Sequence, residues 1–115
     1  MTFEALPEPV DGTRVLRATG ELDIAVVPAL LPDVPALVGT AESVVLDLSG
    51  VTFIDSSGVR FLDRVARECD RRETPFRVAA PPGSPPRRVL EIVGLADVLA
   101  DDDLAAAILA VHHLN

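Results

Sequence analysis

"VVLDLSGVTFIDSSGVRFL" (Val44–Leu62) is the stretch that decides the fold of this chain. An apolar run bounded by polar residues predicts a buried strand over 43–49. From Ser57 to Arg72 the apolar residues instead recur about every 3.6 positions, which predicts an amphipathic helix. The step between strand and helix, Asp55-Ser56-Ser57-Gly58, therefore places two adjacent hydroxyls where the chain changes direction.

These two hydroxyls have three candidate roles. A serine at a helix start can serve as the N-cap, and we expect at least one of them to do so. A serine nucleophile needs a base, but the only histidines are His112 and His113 near the end of the chain, and no G-x-S-x-G elbow is present. A phosphate is also compatible with a helix start, because the helix dipole favours negative charge there. The residues alone disfavour the nucleophile and leave cap and modification site open.

Strands and helices alternate along the rest of the chain after an opening hairpin, which predicts an α/β domain with a mixed sheet. The hairpin joins strands at 3–6 and 13–20 through a turn at Asp11-Gly12. Three further elements follow the central helix: a strand at 75–80, a helix at 85–93 stopped by Gly94, and an edge strand at 97–100. A last helix at 101–114 begins with three aspartates, which we interpret as capping residues.

The segment after "GELD" (Gly20–Asp23) combines helical apolar density with three prolines, Pro28, Pro32 and Pro35. An interior proline costs a helix about 3 kcal/mol, whereas a proline in the first turn is harmless. We therefore expect a helix here that starts with Asp23 as N-cap and is kinked or split near Pro32.

The composition indicates how the chain is organised and which partners it does not bind. The chain has 115 residues, of which 49% are hydrophobic and 3% aromatic, so it predicts one globular domain with an aliphatic core. Its net charge is −8 and its ten basic residues include no basic run, which argues against nucleic-acid or direct membrane binding.

The few reactive residue types point away from catalysis. Cys69 falls on the apolar face of the central helix and predicts a buried thiol. An adjacent histidine pair without further ligands predicts no metal site, and no phosphate-binding glycine pattern is present. Without a signal-like N-terminus or a long apolar run, we expect a cytoplasmic protein that is not an enzyme and needs no cofactor.

Two motifs in order, "GELD" and "DLSGVTFIDSSGV" (Asp47–Val59), resemble the STAS domain of bacterial anti-sigma factor antagonists. The late "VLEIVGLADVL" is similar to the same family, so the resemblance covers nearly the whole chain. It implies one STAS-like domain over 1–115, with a mixed sheet of four to five strands and about four helices packed against it. The prolines of the first helix depart from the family's pattern.

The resemblance also implies a mechanism of partner switching. The unphosphorylated antagonist binds an anti-sigma factor that is itself a serine kinase holding ATP, and so releases the sigma factor. The kinase then phosphorylates the first serine after the aspartate, which is Ser56 here, and a serine phosphatase reverses the modification. Ser57 is the less favoured acceptor. The resemblance further implies partner contacts in the two motifs, at Glu21, Asp23, Asp55, Ser57, Gly58 and Arg60.

Two alternatives remain open from the sequence. STAS-like domains also serve as regulatory subunits of stress-signalling assemblies or of membrane transporters, and only partner choice separates those roles from sigma regulation. A small serine hydrolase using His112 or His113 is the weakest hypothesis. We expect the domain to be a monomer or a weak dimer.

Overall fold

The computed structural model describes residues 2–6 and 9–113, which contain a single five-stranded sheet. The strands lie in chain order across the sheet; the first pair is antiparallel and the remaining three pairs are parallel. The mixed sheet and the α/β class expected from the sequence are confirmed. The strands are β1 (Thr2–Ala5), β2 (Thr13–Leu22), β3 (Ser43–Ile54), β4 (Phe76–Ala79) and β5 (Ala100–Asp101).

The described residues form six α-helices, three of them no longer than five residues, where about four helices were expected. The three longer helices are the central one, the next one in the chain, and the one that ends the described chain. The helices are α1 (Val27–Leu30), α2 (Val34–Val38), α3 (Ser56–Arg71), α4 (Pro85–Ile92), α5 (Ala96–Leu99) and α6 (Leu104–His113).

Strand β3 is the centre of the core, and its continuous apolar run reflects burial on both faces of the sheet. Val44 and Leu46 are fully buried in the larger cluster, which also holds the apolar face of α3. Val45, which points the other way, packs in a second cluster with Ala107 and Val111 of α6. Helices therefore cover both faces, and α3 crosses from the end of β3 back to the start of β4.

The opening hairpin and its turn are confirmed. Thr2 to Ala5 pair antiparallel with Leu16 to Thr19 of β2. Asp11 and Gly12 have φ values of 52° and 80°, the left-handed conformation that a tight two-residue hairpin turn requires. Val10 and Thr13 are bridged across that turn, as expected for its flanking positions.

The proline-rich segment is split, as predicted. A short 3-10 turn over Leu31–Asp33 separates α1 from α2, and each of the three prolines lies in the first turn of its own piece. The expectation that Asp23 caps this helix is wrong, since the N-cap is Val26. The Asp23 side chain instead accepts a hydrogen bond from the N–H of Ala25 at 3.1 Å, which tightens the loop before the helix.

The edge strand predicted at 97–100 is wrong in its bounds. The chain is helical through Leu99, whose N–H donates to the carbonyl of Leu95 at 2.9 Å, and only Ala100 and Asp101 pair with β4. Arg77 of β4 donates to both carboxylate oxygens of Asp101, at 2.7 and 3.2 Å, and so ties the short strand to its neighbour.

Only one of the three aspartates caps α6, so the capping interpretation of the acidic run is corrected. Asp103 Oδ1 accepts from the N–H of Ala106 at 2.8 Å, as a capping side chain does. Asp102 pairs with Arg87 at 3.1 Å, and Asp101 is held by Arg77 as described above. The run therefore contributes mainly ion pairs that hold β5 and the start of α6 against the sheet.

Candidate functional site

The candidate site lies where the parallel strands β2 and β3 end side by side. Leu22 and Ile54, the last residues of the two strands, are paired in register. The chain leaves β2 as the loop containing Asp23 and leaves β3 through Asp55 into α3. The carboxyl ends of parallel strands are the usual place for binding sites in α/β sheets, because loops and helix starts converge there.

Asp55 joins these two exits with one side chain. Its Oδ1 accepts hydrogen bonds from the N–H groups of Ser57 at 2.8 Å and Gly58 at 3.1 Å. Its Oδ2 accepts from the N–H of Ile24 at 3.1 Å, in the loop after β2. A single carboxylate therefore starts α3 and also holds the loop that follows β2, and we call this arrangement the Asp55 clamp.

The expectation that Ser56 or Ser57 caps the helix is wrong. The N-cap of α3 is Asp55, and both serines lie inside the first helical turn. The reason is geometric: a carboxylate at the N-cap position already accepts from the N2 and N3 amides that a serine hydroxyl would have accepted from. The Ser56 hydroxyl is thus free of the capping role.

Hydrogen bonding also sets the ionisation of the clamp. Partial burial alone would raise the pKa of the Asp55 carboxyl, but the hydrogen bonds from the amides of Gly58, Ile24 and Ser57 outweigh it and hold the pKa below 3.8. Backbone donors favour the charged form of a carboxyl group because they bind the anion. Asp55 is therefore an anion at neutral pH.

Burial distinguishes the two serines, which their residue type and spacing alone could not do. Ser56 is exposed, whereas Ser57 is 9% exposed and faces the interior. The next residue, Gly58, is buried so tightly that an added Cβ would lie 2.5 Å from the carbonyl oxygen of Leu22. Of the two hydroxyls, the one at Ser56 is accessible to a partner.

The predicted contact residues of the first motif lie beside the clamp. Glu21 is exposed and pairs in register with Phe53, while Asp23 is half-buried. Both acids line a shallow cleft of about 300 Å³. Arg60 is also exposed, one helical turn after Ser56. The structure thus brings Glu21, Asp23 and Asp55 to one end of the sheet, with Ser56 and Arg60 on the helix that begins there.

Sequence reasoning missed two apolar residues at this end of the molecule. Ile24 and Phe53 are 65% and 49% exposed, although side chains of this size are usually buried. Ile24 follows Asp23 directly, and Phe53 lies on the opposite side of the β2–β3 pair from the buried Ile54. The signal was present in the strand pattern, because Phe53 occupies an outward position of β3 next to inward-facing Ile54.

The histidines lie far from this site. His112 Nε2 is 3.2 Å from Thr13 Oγ1 and 3.1 Å from the carbonyl oxygen of Asp11, at the amino end of β2. Ser56 lies beyond the carboxyl end of the same strand pair, and nine residue steps of β-strand span about 30 Å. His112 cannot act as a base for Ser56. His113 is the next residue of the same helix, so the hydrolase hypothesis loses both of its candidate bases.

Residues 2–6 and 9–113 offer neither a metal site nor a membrane-spanning helix. No cluster of three or more histidine, cysteine or acidic side chains there has the arrangement needed to hold a metal ion. Within the same ranges, every helix is too short or too polar to cross a bilayer.

Comparison with known proteins identifies the family. The STAS domain family model matches residues 6–108. Among solved structures, an anti-sigma factor antagonist from Mycobacterium paratuberculosis is 31% identical with a TM-score of 0.79, over 96% of this chain and 95% of that one. A search of curated proteins finds no match.

More distant structures share the fold alone. Phosphorylated SpoIIAA from Bacillus is 22% identical with a TM-score of 0.69, over 99% of this chain and 100% of that one. A sulfate transporter family protein from Wolinella succinogenes is 18% identical with a TM-score of 0.75, over 93% of this chain and 90% of that one. The family match and the relative at 31% identity agree with the motifs at the site. This chain belongs to the STAS domain family of anti-sigma factor antagonists.

Proposed function

We propose that this protein is an anti-sigma factor antagonist that binds an anti-sigma factor kinase while Ser56 is unmodified and releases it once Ser56 is phosphorylated. The observation that carries the proposal is the position of Ser56. It is the exposed hydroxyl at the start of α3, next to a carboxylate that already caps the helix. The 31% identity to an anti-sigma factor antagonist over nearly the whole chain supports the same conclusion.

Docking uses the surface around the Asp55 clamp. Exposed Ile24 and Phe53 supply apolar area, and burying one such side chain fully contributes about 1.5–3 kcal/mol. Glu21, which pairs in register with Phe53, and Asp23 and Arg60 at the two strand exits add charged groups that set orientation and partner choice. Because the clamp holds Ile24 against the helix start, the loop and the serine are presented to the partner as one surface.

A phosphate on Ser56 would disrupt this surface without unfolding the domain. The amides of Ser57 and Gly58, which could otherwise bind the phosphate, already donate to Asp55. The added charge of about −1.5 to −2 therefore points outward, beside the Asp55 carboxylate. An interface that closes over it must bury this added negative charge next to the Asp55 carboxylate, which is unfavourable.

The chemistry of the switch belongs to the partners. The chain has no phosphate-binding glycine loop, so the kinase holds ATP and Mg²⁺. In the transfer step, Ser56 Oγ forms a bond to the γ-phosphorus of ATP as the bond to the β-phosphate oxygen breaks, releasing ADP, and a base of the kinase takes the hydroxyl proton. A serine phosphatase returns Ser56 to the free hydroxyl by hydrolysis, and the cycle runs in the cytoplasm.

Phosphate mapping tests the proposal. The anti-sigma factor kinase encoded nearest to the gene is incubated with this chain and Mg²⁺-ATP, and the sites are located by mass spectrometry. We expect phosphate on Ser56, loss of labelling in Ser56→Ala, and retained labelling in the matched control Ser57→Ala. A kinase that is active on its own substrate but leaves Ser56 unmodified would overturn the proposal.

The transporter alternative rests on shared fold alone, at 18% identity to the Wolinella protein. The same chain, immobilised and exposed to purified candidates, separates the two functions. Binding to a transporter subunit in place of the kinase would favour the alternative.

A further inference from the structure

We propose that an arginine ridge along α3, formed by Arg60, Arg64, Arg67 and Arg71, docks an acidic surface of the protein partner. This inference rests on the proposed function, because the ridge begins at the acceptor serine. It adds the chemistry of the partner's contact surface, which must be rich in aspartate and glutamate.

The spacing of the ridge places its four arginines on one face of the helix. At about 100° per residue, Arg60, Arg64, Arg67 and Arg71 fall within a stripe about 80° wide that also includes Ser56. All five side chains are exposed. The opposite face, with Leu62, Val65 and Cys69 among others, is buried against the sheet. The ridge runs about 16 Å along the axis, from one turn after Ser56 to the end of α3.

The charge on the ridge contrasts with the charge on the rest of the chain. Residues 56–72 hold five of the ten arginines against three acidic residues, a net charge of +2. Since the whole chain carries −8, everything outside this segment carries −10. A solvated helix face usually mixes signs, so a row of one sign on an acidic protein indicates a partner of the other sign.

The arginines retain donors for such a partner. Arg67 pairs with Asp63 at 2.8 Å and Arg71 with Glu68 at 2.5 Å, but the arginine side chains remain 77% and 68% exposed. Exposed pairs of this kind contribute little to stability, about 0–1 kcal/mol. Within the described residues, Arg60 and Arg64 make no ion pair. A cleft of about 180 Å³ is lined by Arg64, Arg67, Arg71 and Glu68. Glu68 already pairs with Arg71, so a partner carboxylate would bind chiefly to Arg64 and Arg67, and arginine can bind a carboxylate with two parallel hydrogen bonds.

The size and setting of the ridge favour a protein over a nucleic acid or a membrane. A DNA duplex or an anionic bilayer extends well past a 16 Å ridge and would meet the surrounding net charge of −10. A cluster of a few carboxylates on a folded partner covers the ridge without reaching the acidic surfaces.

Phosphorylation would act on this surface as well. Arg60 lies one turn after Ser56 on the same stripe, so a phosphate on Ser56 lies within reach of its guanidinium. The phosphate would then take the first arginine of the ridge from the partner and repel the partner's acidic residues. Charge on Ser56 thus weakens docking along the helix as well as at the clamp.

A kinetic comparison with the kinase tests the ridge. Arg64→Glu is compared with Arg88→Glu, which makes the same charge change at an exposed arginine of α4. We expect Arg64→Glu to slow association roughly tenfold at low salt, with the difference vanishing at high salt, and Arg88→Glu to behave like the wild type. Equal association rates for the two variants would overturn the inference, while intact phosphorylation of Ser56 would leave the proposed function standing.

A second measurement needs no kinase. It therefore tests the ridge even if the proposed function as a kinase-binding antagonist fails. An octaglutamate peptide is titrated into the isotopically labelled chain, with an octaglutamine peptide as control, and the arginine side-chain N–H signals are followed by NMR. We expect shifts confined to α3 that are lost in Arg64→Glu and at high salt. Shifts elsewhere, or stronger binding of a short DNA duplex or of phosphatidylserine vesicles at α3, would contradict an acidic protein as the occupant.

Discussion

The N–H of Ile24 donates to Oδ2 of Asp55 at 3.1 Å, so the carboxylate that starts α3 also holds the loop after β2. The two residues are 31 positions apart in the chain, yet they meet because the parallel strands β2 and β3 end at the same edge. This contact makes one surface out of the two motifs, "GELD" and the serine step, that identify the family.

Asp55→Asn separates the two functions of the clamp. An asparagine oxygen can still accept from Ser57 and Gly58, but its NH₂ group would face the N–H of Ile24. We expect α3 to stay intact by circular dichroism, while the Ile24 amide exchanges with solvent faster and kinase binding weakens. Asp55→Ala, which removes both contacts, should also lower the midpoint of urea unfolding. Unchanged exchange at Ile24 in Asp55→Asn would show that the clamp does not hold the loop.

The clamp also predicts a pH dependence. The pKa of Asp55 is lower in the folded protein than its usual value of 3.8. Its contribution to stability is therefore complete above that value and is lost as the pH falls through the lower folded pKa. We expect the difference in unfolding free energy between wild type and Asp55→Ala to be constant from pH 5 to pH 8 and to shrink below pH 3.8. A difference that persists unchanged at the lowest pH at which both proteins fold would contradict this assignment.

Gly58→Ala tests the packing of the helix start. A Cβ at this position would lie 2.4 Å from Ile54 Cγ1 and 2.5 Å from the Leu22 carbonyl oxygen, so α3 must move outward. We expect a loss of about 1–3 kcal/mol in urea unfolding, partly offset by the better helix propensity of alanine. Gly94→Ala is the comparison, because its Cβ meets nothing within 4 Å and only the φ of +79° is unfavourable.

The position of α3 is a more specific readout for Gly58→Ala than the stability of the protein. Displacement of α3 should shift the amide signals of Ser56 and Ile24 together, since both depend on the clamp. Gly94→Ala should leave both signals in place. If Gly58→Ala is as stable as the wild type with unmoved signals, the close contact with Leu22 is not a constraint on the site.

His112 predicts a stabilising contact remote from the site. Its Nε2 lies close to Thr13 Oγ1 and the carbonyl of Asp11, which joins the end of α6 to the hairpin turn. Removing these hydrogen bonds in His112→Ala should cost about 1 kcal/mol in unfolding free energy. His113→Ala, at the exposed neighbouring position, should have no effect. Both variants should bind the kinase normally, and weakened binding in His112→Ala alone would place the partner surface at the other end of the sheet.

Cys69 predicts a protected thiol. Burial raises the pKa of its thiol from 9.0 to about 12, with the nearby Arg72 lowering it and Glu68 raising it. At pH 8 the thiolate is then about 1000-fold scarcer than for an ordinary cysteine. We expect iodoacetamide to modify the native protein at least that much more slowly than the urea-unfolded chain. Comparable rates in the two states would mean that the C-terminal half of α3 opens readily.

Much of the fold could be predicted from local patterns. The apolar run of β3, the 3.6-residue period of α3 and the split at Pro32 each follow from interactions within a few residues, and all three are observed. The error at 97–100 arose because a short apolar segment is ambiguous between helix and strand, and the tertiary contacts of Arg77 decide where the strand begins.

The motif resemblance located the candidate site and favoured Ser56 over Ser57 as the acceptor, but residue propensities alone could not separate the two serines. Asp55 has the right residue type for an N-cap, but two serines beside it compete for the same role on propensity alone. Only the fold shows that Ser57 faces the interior and Ser56 faces solvent. The outward position of Phe53 could be read from the alternation along β3, whereas the exposure of Ile24 depends on where β2 and β3 end relative to each other.

The most direct test of the switch compares binding of two forms of this chain to the anti-sigma factor kinase in the presence of ADP. One form carries the free Ser56 hydroxyl and the other a phosphoserine incorporated at position 56 during synthesis. We predict that the dissociation constant, measured by calorimetry, rises roughly 100-fold or more on phosphorylation while the thermal midpoint of the isolated chain is unchanged. Equal dissociation constants for the two forms would contradict the assignment of Ser56 as the switch.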